Sequence, residues 1–262
     1  MAVSITTCSA PPSQPAATAP THVATTHGSS TFAATVAPTT AELGLLQVLV
    51  LHATAGFEHD SIPAGIMAIT TLGSEHGFTV KTSEDSSALL DPGVAELDVI
   101  VFLSTTGDIL DAGEERAMEK LIQSGKGFVG IHSATDTEYD WAWYGGLVGA
   151  YFEGHPAVQP ATIRSSGAGH PAGDGLPATF ERVDEWYNFR SPPGPGVVVL
   201  ATLDESTYEG GTMGDNHPIA WVQEYDGGRS FYTGGGHTVE SYSEPLFRDH
   251  LATGILWAAG RS

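Results

Sequence analysis

The stretch that decides the fold is GFVGIHSATD, residues 127–136, in which a short apolar run leads directly into polar residues. A continuous apolar run of this length, bounded by glycine and turn-forming residues, is typical of a strand buried on both faces of a parallel sheet. Two similar runs precede it, at residues 45–51 and 97–103. The three runs therefore predict strands of one buried sheet.

Helical patterns alternate with these strands. Residues 61–76, with Asp60 or Ser61 as the cap, carry apolar side chains at helical spacing and end before Gly77, a residue suited to a left-handed C-terminus. Residues 111–124 open with a sequence that resembles a capping box. Further strands are predicted at 78–82, 197–203, 219–224 and 230–233, and a closing helix at 245–259. The alternation predicts an α/β three-layer sandwich with a mostly parallel sheet.

Two segments depart from this regular pattern. Residues 135–195 are rich in glycine, proline and aromatic residues and are too long for an ordinary connection, so we expect an elaboration over the active edge of the sheet. Residues 1–44 consist mainly of Ala, Thr, Pro and Ser, a composition that cannot bury enough apolar surface to fold. The sequence therefore predicts a disordered tail at 1–44 and one folded domain at 45–262.

The charge balance limits the partners of the protein. Among 262 residues there are 31 acidic and 10 basic side chains, for a formal net charge of −21. Because so few bases cannot neutralise a phosphate backbone or an anionic bilayer, we expect no nucleic acid or membrane-surface partner. No apolar run reaches the roughly 20 residues of a membrane-spanning helix. The composition instead favours an uncharged small-molecule partner, and it is compatible with a homo-oligomer.

Cys8 is the one cysteine of the chain, so the sequence excludes an internal disulfide and any cysteine-rich zinc module. As written, the sequence predicts a cytoplasmic protein. The residues around Cys8 also resemble a bacterial lipoprotein site followed by a flexible spacer. If the true start lay upstream, the protein would be an extracytoplasmic lipoprotein anchored at Cys8.

Polar residues follow four of the predicted strands, at 52–60, 104–108, 132–136 and 234–237. Ligands of open α/β sheets bind beyond the carboxyl ends of the strands, so we expect these residues to share a cleft. His132 follows its strand directly and could be a general base, a metal ligand or a structural histidine. His237, after three glycines, could contact a ligand or stand in a plain turn.

Three further groups are candidates for contact with a sugar. Asp184 and Glu185 precede two aromatic residues and form either an acid pair or an exposed acidic strand end. Trp143 and Tyr144 could stack on sugar rings or form a small core of the insertion. His155 precedes a proline, which fixes the local backbone. The pair could hold His155 ready as a ligand, or it could have a structural role only.

Eight stretches carry a resemblance to a known family: TAGF (54–57), HDSI (59–62), GIHSATD (130–136), WYGGLVGAYF (143–152), DEWYNF (184–189), MGDNHPIAW (213–221), GRSFYT (228–233) and GHT (236–238). Taken together, they resemble the ThuA-like (trehalose utilisation) family over more than 80% of the chain. The resemblance implies a flavodoxin-like core related to class I glutamine amidotransferases. Where those enzymes carry a nucleophilic cysteine after a buried strand, this chain has His132 and Ser133, so ammonia transfer is not implied.

The resemblance implies an enzyme of disaccharide catabolism that acts on a sugar oxidised at C3. In the predicted mechanism His132, oriented by Asp136, removes the proton at C2, and the resulting enediolate either expels the C1 substituent or is reprotonated. His237, with Arg229 nearby, stabilises the oxyanion. Asp184 or Glu185 then protonates the leaving oxygen. The residues predicted to bind the sugar are Trp143, Tyr144, His155, Asp184, Trp186 and Arg229.

Two alternatives remain open at the level of the sequence. The mechanism requires no cofactor, but a variant of it uses a divalent metal ion held by His132, His155 and His237. The competing class is a non-catalytic carbohydrate-binding or scaffold protein on a degenerate amidotransferase fold. Whether His132, Asp136 and His237 share one cleft is the discriminating observation.

Overall fold

The structure is a computed structural model that describes residues 44–166 and 169–261. The predicted disordered tail, apart from residue 44, and the lipoprotein site at Cys8 lie outside the described residues. Among the described residues, no helix is long and apolar enough to cross a membrane.

The centre of the fold is a nine-stranded sheet with the order β2-β1-β3-β4-β11-β10-β9-β6-β7. Strands β2, β1, β3, β4 and β11 pair in parallel, and the remaining pairs are antiparallel, so seven of the nine strands point the same way. Two short strands, β5 and β8, pair separately. The strands are β1 Leu46–Leu51, β2 Phe78–Ser83, β3 Val99–Leu103, β4 Gly127–Ile131, β5 Phe152–Gly154, β6 Gln159–Ser165, β7 Thr179–Asp184, β8 Asn188–Phe189, β9 Val198–Leu203, β10 His217–Tyr225 and β11 Gly228–Thr233.

Helices cover both faces of the sheet. On one face α1 and α4 belong to the same apolar cluster as Val48 and Val50 of β1. On the other face α2 and α3 belong to the same apolar cluster as Leu49 and Leu51 of that strand. The predicted three-layer α/β sandwich with a mostly parallel sheet is therefore confirmed. The helices are α1 Ile62–His76, α2 Ala112–Gln123, α3 Ala142–Val148 and α4 Pro245–Ala258.

The predicted helix ends are largely as expected. Gly77 ends α1 with a φ of 80°, and Asp111 and Glu114 form the capping box of α2. At the other end of α1 the structure differs. Ser61 occupies the cap position, but its hydroxyl donates to the carbonyl of Gly236 and makes no cap bond within the helix. This bond ties α1 to the loop after β11.

The long insertion contains more regular structure than the sequence suggested. Residues 135–195 include α3 and the strands β5 to β8, and β6 and β7 extend the main sheet. Short strands between turn-rich segments leave a weak periodic signal, which is why the sequence did not reveal them. The insertion thus supplies an edge of the sheet, and the end of β7 brings Asp184 and Glu185 to the candidate site.

Candidate functional site

Four side chains from distant parts of the chain converge beyond the carboxyl ends of the strands. His59 follows β1, His132 follows β4, Glu185 follows β7 and His237 follows β11. One ligand atom from each lies within 4.8 Å of the others. We call these four residues the His/Glu cluster.

His132 occupies a strained position at the end of β4. Its φ is 53°, in the left-handed region that non-glycine residues rarely adopt, and its ring is fully buried. Its Nδ1 lies 3.1 Å from the carbonyl oxygen of Gly234. Because a carbonyl only accepts, Nδ1 carries the hydrogen, and the lone pair of the neutral ring is on Nε2. That lone pair points into the cluster.

The distances within the cluster are short. His132 Nε2 lies 3.1 Å from His59 Nε2, 3.3 Å from His237 Nδ1 and 3.5 Å from Glu185 Oε2. Glu185 Oε2 in turn lies 3.1 Å from His237 Nδ1. Three ring nitrogens and one carboxylate oxygen therefore face a common centre. Such a donor set is able to hold a divalent metal ion.

The buried position sets the charge of each member. Burial, aided by repulsion from His132 and His237, lowers the pKa of His59 to about 3, so this ring is neutral near pH 7. Burial raises the pKa of Glu185, but its contacts with His132 and His237 outweigh burial and hold the pKa at about 2. The bond with Glu185 raises the pKa of His237. Glu185 is therefore the anion of the cluster.

Asp184 holds two cluster residues by their backbones. It is fully buried, and its Oδ1 accepts from the N–H groups of Glu185 and His237, both at 3.0 Å. Its Oδ2 accepts from Gly236 N at 2.8 Å, Ser241 Oγ at 2.9 Å and Arg182 at 3.3 Å. The prediction that Asp184 contacts the sugar or protonates a leaving group is therefore wrong, because its oxygens are enclosed and saturated.

Asp136 does not orient His132 as predicted. Its Oδ1 accepts from the hydroxyl of Tyr139, and burial raises the pKa of this half-buried carboxyl. The orienting acceptor of His132 is instead the carbonyl of Gly234. Asp136 remains at the same edge of the sheet, since it ends the short turn that begins at His132.

His155 stands beside the cluster and is not one of its converging ligands. Its Nδ1 lies 2.9 Å from Glu185 Oε1, the oxygen that faces away from His132, and 3.0 Å from the carbonyl of Pro156. The side chain is 42% exposed. Of the predicted metal ligands, the structure thus brings His132 and His237 together, with His155 outside the converging set.

The structure corrects the predicted sugar-binding role of the aromatic residues and Arg229. Their side chains do not face the His/Glu cluster. Tyr144 and Trp186 are fully buried and donate to the carbonyls of Ala134 and Gln159. Trp143 donates to Asp226 in the β10–β11 turn, at the opposite end of the sheet. Arg229, near the start of β11, donates to the carbonyl of Trp257.

Sequence reasoning missed two residues of the site. His59 lies within a polar stretch after β1 and is separated from His132 by 73 positions, so no local pattern links the two rings. Phe57 is 65% exposed, and its ring contacts that of His59 edge-on at 4.9 Å. The signal for both was their place in the stretch 52–60 after a predicted strand, which the sequence placed at the shared cleft without singling out either residue.

The ThuA sequence pattern, described as trehalose utilisation, matches residues 47–258. The chain belongs to the ThuA family. A putative ThuA-like protein from Bacteroides uniformis ATCC 8492 shares 22% identity with this ThuA protein at a TM-score of 0.70, covering 81% of this chain and 91% of the other. A putative ThuA-like protein from Parabacteroides merdae ATCC 43184 shares 18% identity at a TM-score of 0.70, covering 83% and 91%.

A more distant likeness connects this ThuA protein with a larger enzyme. A β-galactosidase from Bacillus circulans sp. alkalophilus shares 13% identity at a TM-score of 0.55, covering 83% of this chain and 31% of the other. No curated protein matches the sequence. At these identities the solved structures show a common fold.

Proposed function

We propose that this ThuA-family protein is an enzyme that processes an oxidised sugar, a 3-keto disaccharide or related glycoside. The observation that carries the proposal is the His/Glu cluster at the carboxyl edge of the sheet, where open α/β sheets bind their ligands. The description of the family as trehalose utilisation supports a carbohydrate substrate.

The proposed reaction begins at the ketone. A carbonyl at C3 acidifies the proton at C2, and a base removes that proton while the C2–H electron pair forms an enolate with its charge on O3. When the C3 carbonyl re-forms, a double bond forms between C1 and C2 and the bond from C1 to its oxygen substituent breaks. The leaving oxygen then takes a proton from the conjugate acid of the base.

We assign the base to His155. Its Nδ1 faces two acceptors, Glu185 Oε1 and the carbonyl of Pro156, so Nδ1 carries the hydrogen and the lone pair is on Nε2. The ring is 42% exposed, which leaves it accessible to a substrate. This assignment replaces His132, because His132 is fully buried and both its nitrogens are engaged.

The cluster would stabilise the charge that develops on O3. His237 is its most exposed member, with 25% of its side chain accessible, and its Nε2, the nitrogen outside the cluster, can donate a hydrogen bond to O3. Around the cluster, Phe57 offers an exposed ring face, while Glu58 and Asp60 are exposed carboxylates. Apolar and acidic groups together favour a neutral sugar over a sugar phosphate.

Proton abstraction can be measured directly by exchange in D₂O. We expect the wild-type protein to exchange the C2 proton of 3-ketotrehalose, followed by NMR, and to release glucose from it. His155→Gln should slow the exchange by about 100-fold or more, because it removes the base. Trp143→Phe, at the opposite end of the sheet, is the matched control and should exchange at the wild-type rate.

A different outcome would favour the non-catalytic alternative. If the wild-type protein binds 3-ketotrehalose in calorimetry but neither exchanges its C2 proton nor forms a product, the chain is a binding protein and the enzyme proposal fails. If exchange occurs at the same rate in His155→Gln, the assignment of the base fails while the enzyme proposal stands.

A further inference from the structure

We infer that the His/Glu cluster binds one divalent transition-metal ion through His59 Nε2, His132 Nε2, His237 Nδ1 and Glu185 Oε2. The ion would occupy the site of the proposed function, but its binding does not depend on catalysis. The set differs from the ligands expected from the sequence, because His59 and Glu185 enter it and His155 does not.

The spacing of the four atoms is that of a coordination shell. With metal–ligand bonds of about 2.0–2.1 Å, the ligand atoms of a tetrahedral zinc site lie about 3.3 Å apart. Four of the six separations in the cluster are 3.1, 3.1, 3.3 and 3.5 Å, and the other two are no longer than 4.8 Å. A bound ion therefore requires little movement of these side chains.

The polarity of the facing atoms also favours a cation at their centre. His132 Nε2 presents a lone pair, since its hydrogen is on Nδ1, and Glu185 Oε2 presents another at 3.5 Å. A proton on His237 can bridge only one pair of facing atoms, His237 Nδ1 and Glu185 Oε2. A metal ion at the centre can accept a lone pair from all four ligand atoms at once.

The surrounding residues hold each ligand in place. Metal-binding histidines typically donate their second nitrogen to an outer acceptor. His132 donates to the carbonyl of Gly234, and His59 Nδ1 lies 3.5 Å from Ser133 Oγ. Asp184 holds the backbones of Glu185 and His237. His155 engages Glu185 Oε1, which leaves Oε2 for the ion.

The donor chemistry indicates the class of metal. Three imidazole nitrogens and one carboxylate suit Zn²⁺, Co²⁺ and similar ions, whereas Mg²⁺ and Ca²⁺ prefer oxygen ligands. The partly exposed side of His237 leaves a direction from which a substrate oxygen can approach. When bound, such an ion would act as a Lewis acid toward a carbonyl.

Metal binding can be tested without any substrate. We expect chelator-treated, dialysed protein to bind Co²⁺ with 1:1 stoichiometry, with the visible absorption of a low-coordinate Co²⁺ site, and Zn²⁺ to displace it. MgCl₂ should not. His59→Ala, His132→Ala and Glu185→Gln should each weaken Co²⁺ binding by more than about 100-fold. Glu185→Gln nearly preserves shape and so guards against loss of the fold, which circular dichroism checks.

Two histidine variants separate ligands from neighbours. His76→Ala removes an exposed histidine from the end of α1 and should leave binding unchanged. His155→Asn should weaken binding by about tenfold with the absorption spectrum unchanged, as expected for a positioning residue. No 1:1 binding of Co²⁺, or equal binding by wild type, His132→Ala and Glu185→Gln, would overturn the inference.

The metal inference and the proposed function fail in different ways. If the protein binds Co²⁺ as expected but never acts on 3-ketotrehalose, the function fails and the metal site stands. If metal-free protein exchanges the C2 proton yet binds no Co²⁺, the metal site fails and the function stands.

Discussion

His132 combines a strained backbone with a fully buried ring at the end of β4. A φ of 53° costs a non-glycine residue of the order of 1 kcal/mol, because Cβ approaches the following carbonyl oxygen. In return the ring turns into the edge of the sheet, where its Nε2 meets the other members of the His/Glu cluster. One backbone angle thus decides where the central imidazole of the site points.

The backbone strain at His132 can be tested with two variants that both remove the ring. We expect His132→Gly to unfold at higher urea concentration than His132→Ala, by about 0.5–1 kcal/mol in free energy of unfolding, since glycine adopts positive φ freely. Urea titration of metal-free protein would measure the difference. An alanine variant that is the more stable of the two would contradict the strain argument.

At the scale of elements, the site depends on a contact between β7 and the loop after β11. The two strands lie four places apart in the sheet, yet Asp184 at the end of β7 accepts from the N–H groups of Gly236 and His237. That contact joins the antiparallel part of the sheet to a loop that follows its parallel part. Asp184 therefore connects the two halves and sets the position of Glu185 and His237.

Removing this connection should affect both stability and metal binding. In wild type the neighbouring donors bond to a carboxylate, whereas in Asp184→Asn some of them face an amide N–H₂ that cannot accept. We therefore expect a loss of about 2–3 kcal/mol in free energy of unfolding. Ser241→Ala, the control, deletes one of the five donors and should cost about 1 kcal/mol. Urea unfolding of metal-free protein measures both. Equal stability of Asp184→Asn and wild type would refute the role of Asp184.

At the scale of the whole molecule, buried histidines couple stability to pH. His250 in α4 is fully buried, its Nδ1 has no hydrogen-bond partner among the described residues, and burial lowers its pKa to about 3. Burial lowers the pKa of His59 to about 3 as well. In the unfolded chain these rings bind protons near pH 6.5. Below that pH the unfolded state binds protons that the folded state excludes, so stability falls as pH falls.

The contribution of His250 can be isolated by substitution. We expect the stability difference between wild type and His250→Leu to change by up to about 1.4 kcal/mol per pH unit between about pH 6 and pH 4, with wild type losing more as pH falls. His76→Leu, at an exposed position, should follow the wild-type curve. Urea unfolding of metal-free protein across this range measures the difference. Parallel curves for His250→Leu and wild type would contradict the prediction.

Much of the fold follows from local signals in the sequence. Each of these signals depends on neighbours within a few residues. They are the apolar runs of β1, β3 and β4, the capping box at Asp111 and Gly77 at the end of α1. The same signals predicted that residues after β4 and β11 would share one edge, and the structure brings His132 and His237 together there. Parallel strands carry their carboxyl ends to a common edge whatever their sequence separation.

Only the tertiary structure decided the membership of the site. His59 joins it, while Trp143, Tyr144, Trp186 and Arg229 lie in the core or at the opposite end of the sheet. Which polar or aromatic residue faces the site depends on the pairing of β6, β7, β9 and β10. Those contacts join residues far apart in the chain, and no local pattern encodes them. The sequence determined the parallel part of the sheet and the edge that carries the site, and long-range packing selected the side chains that meet there.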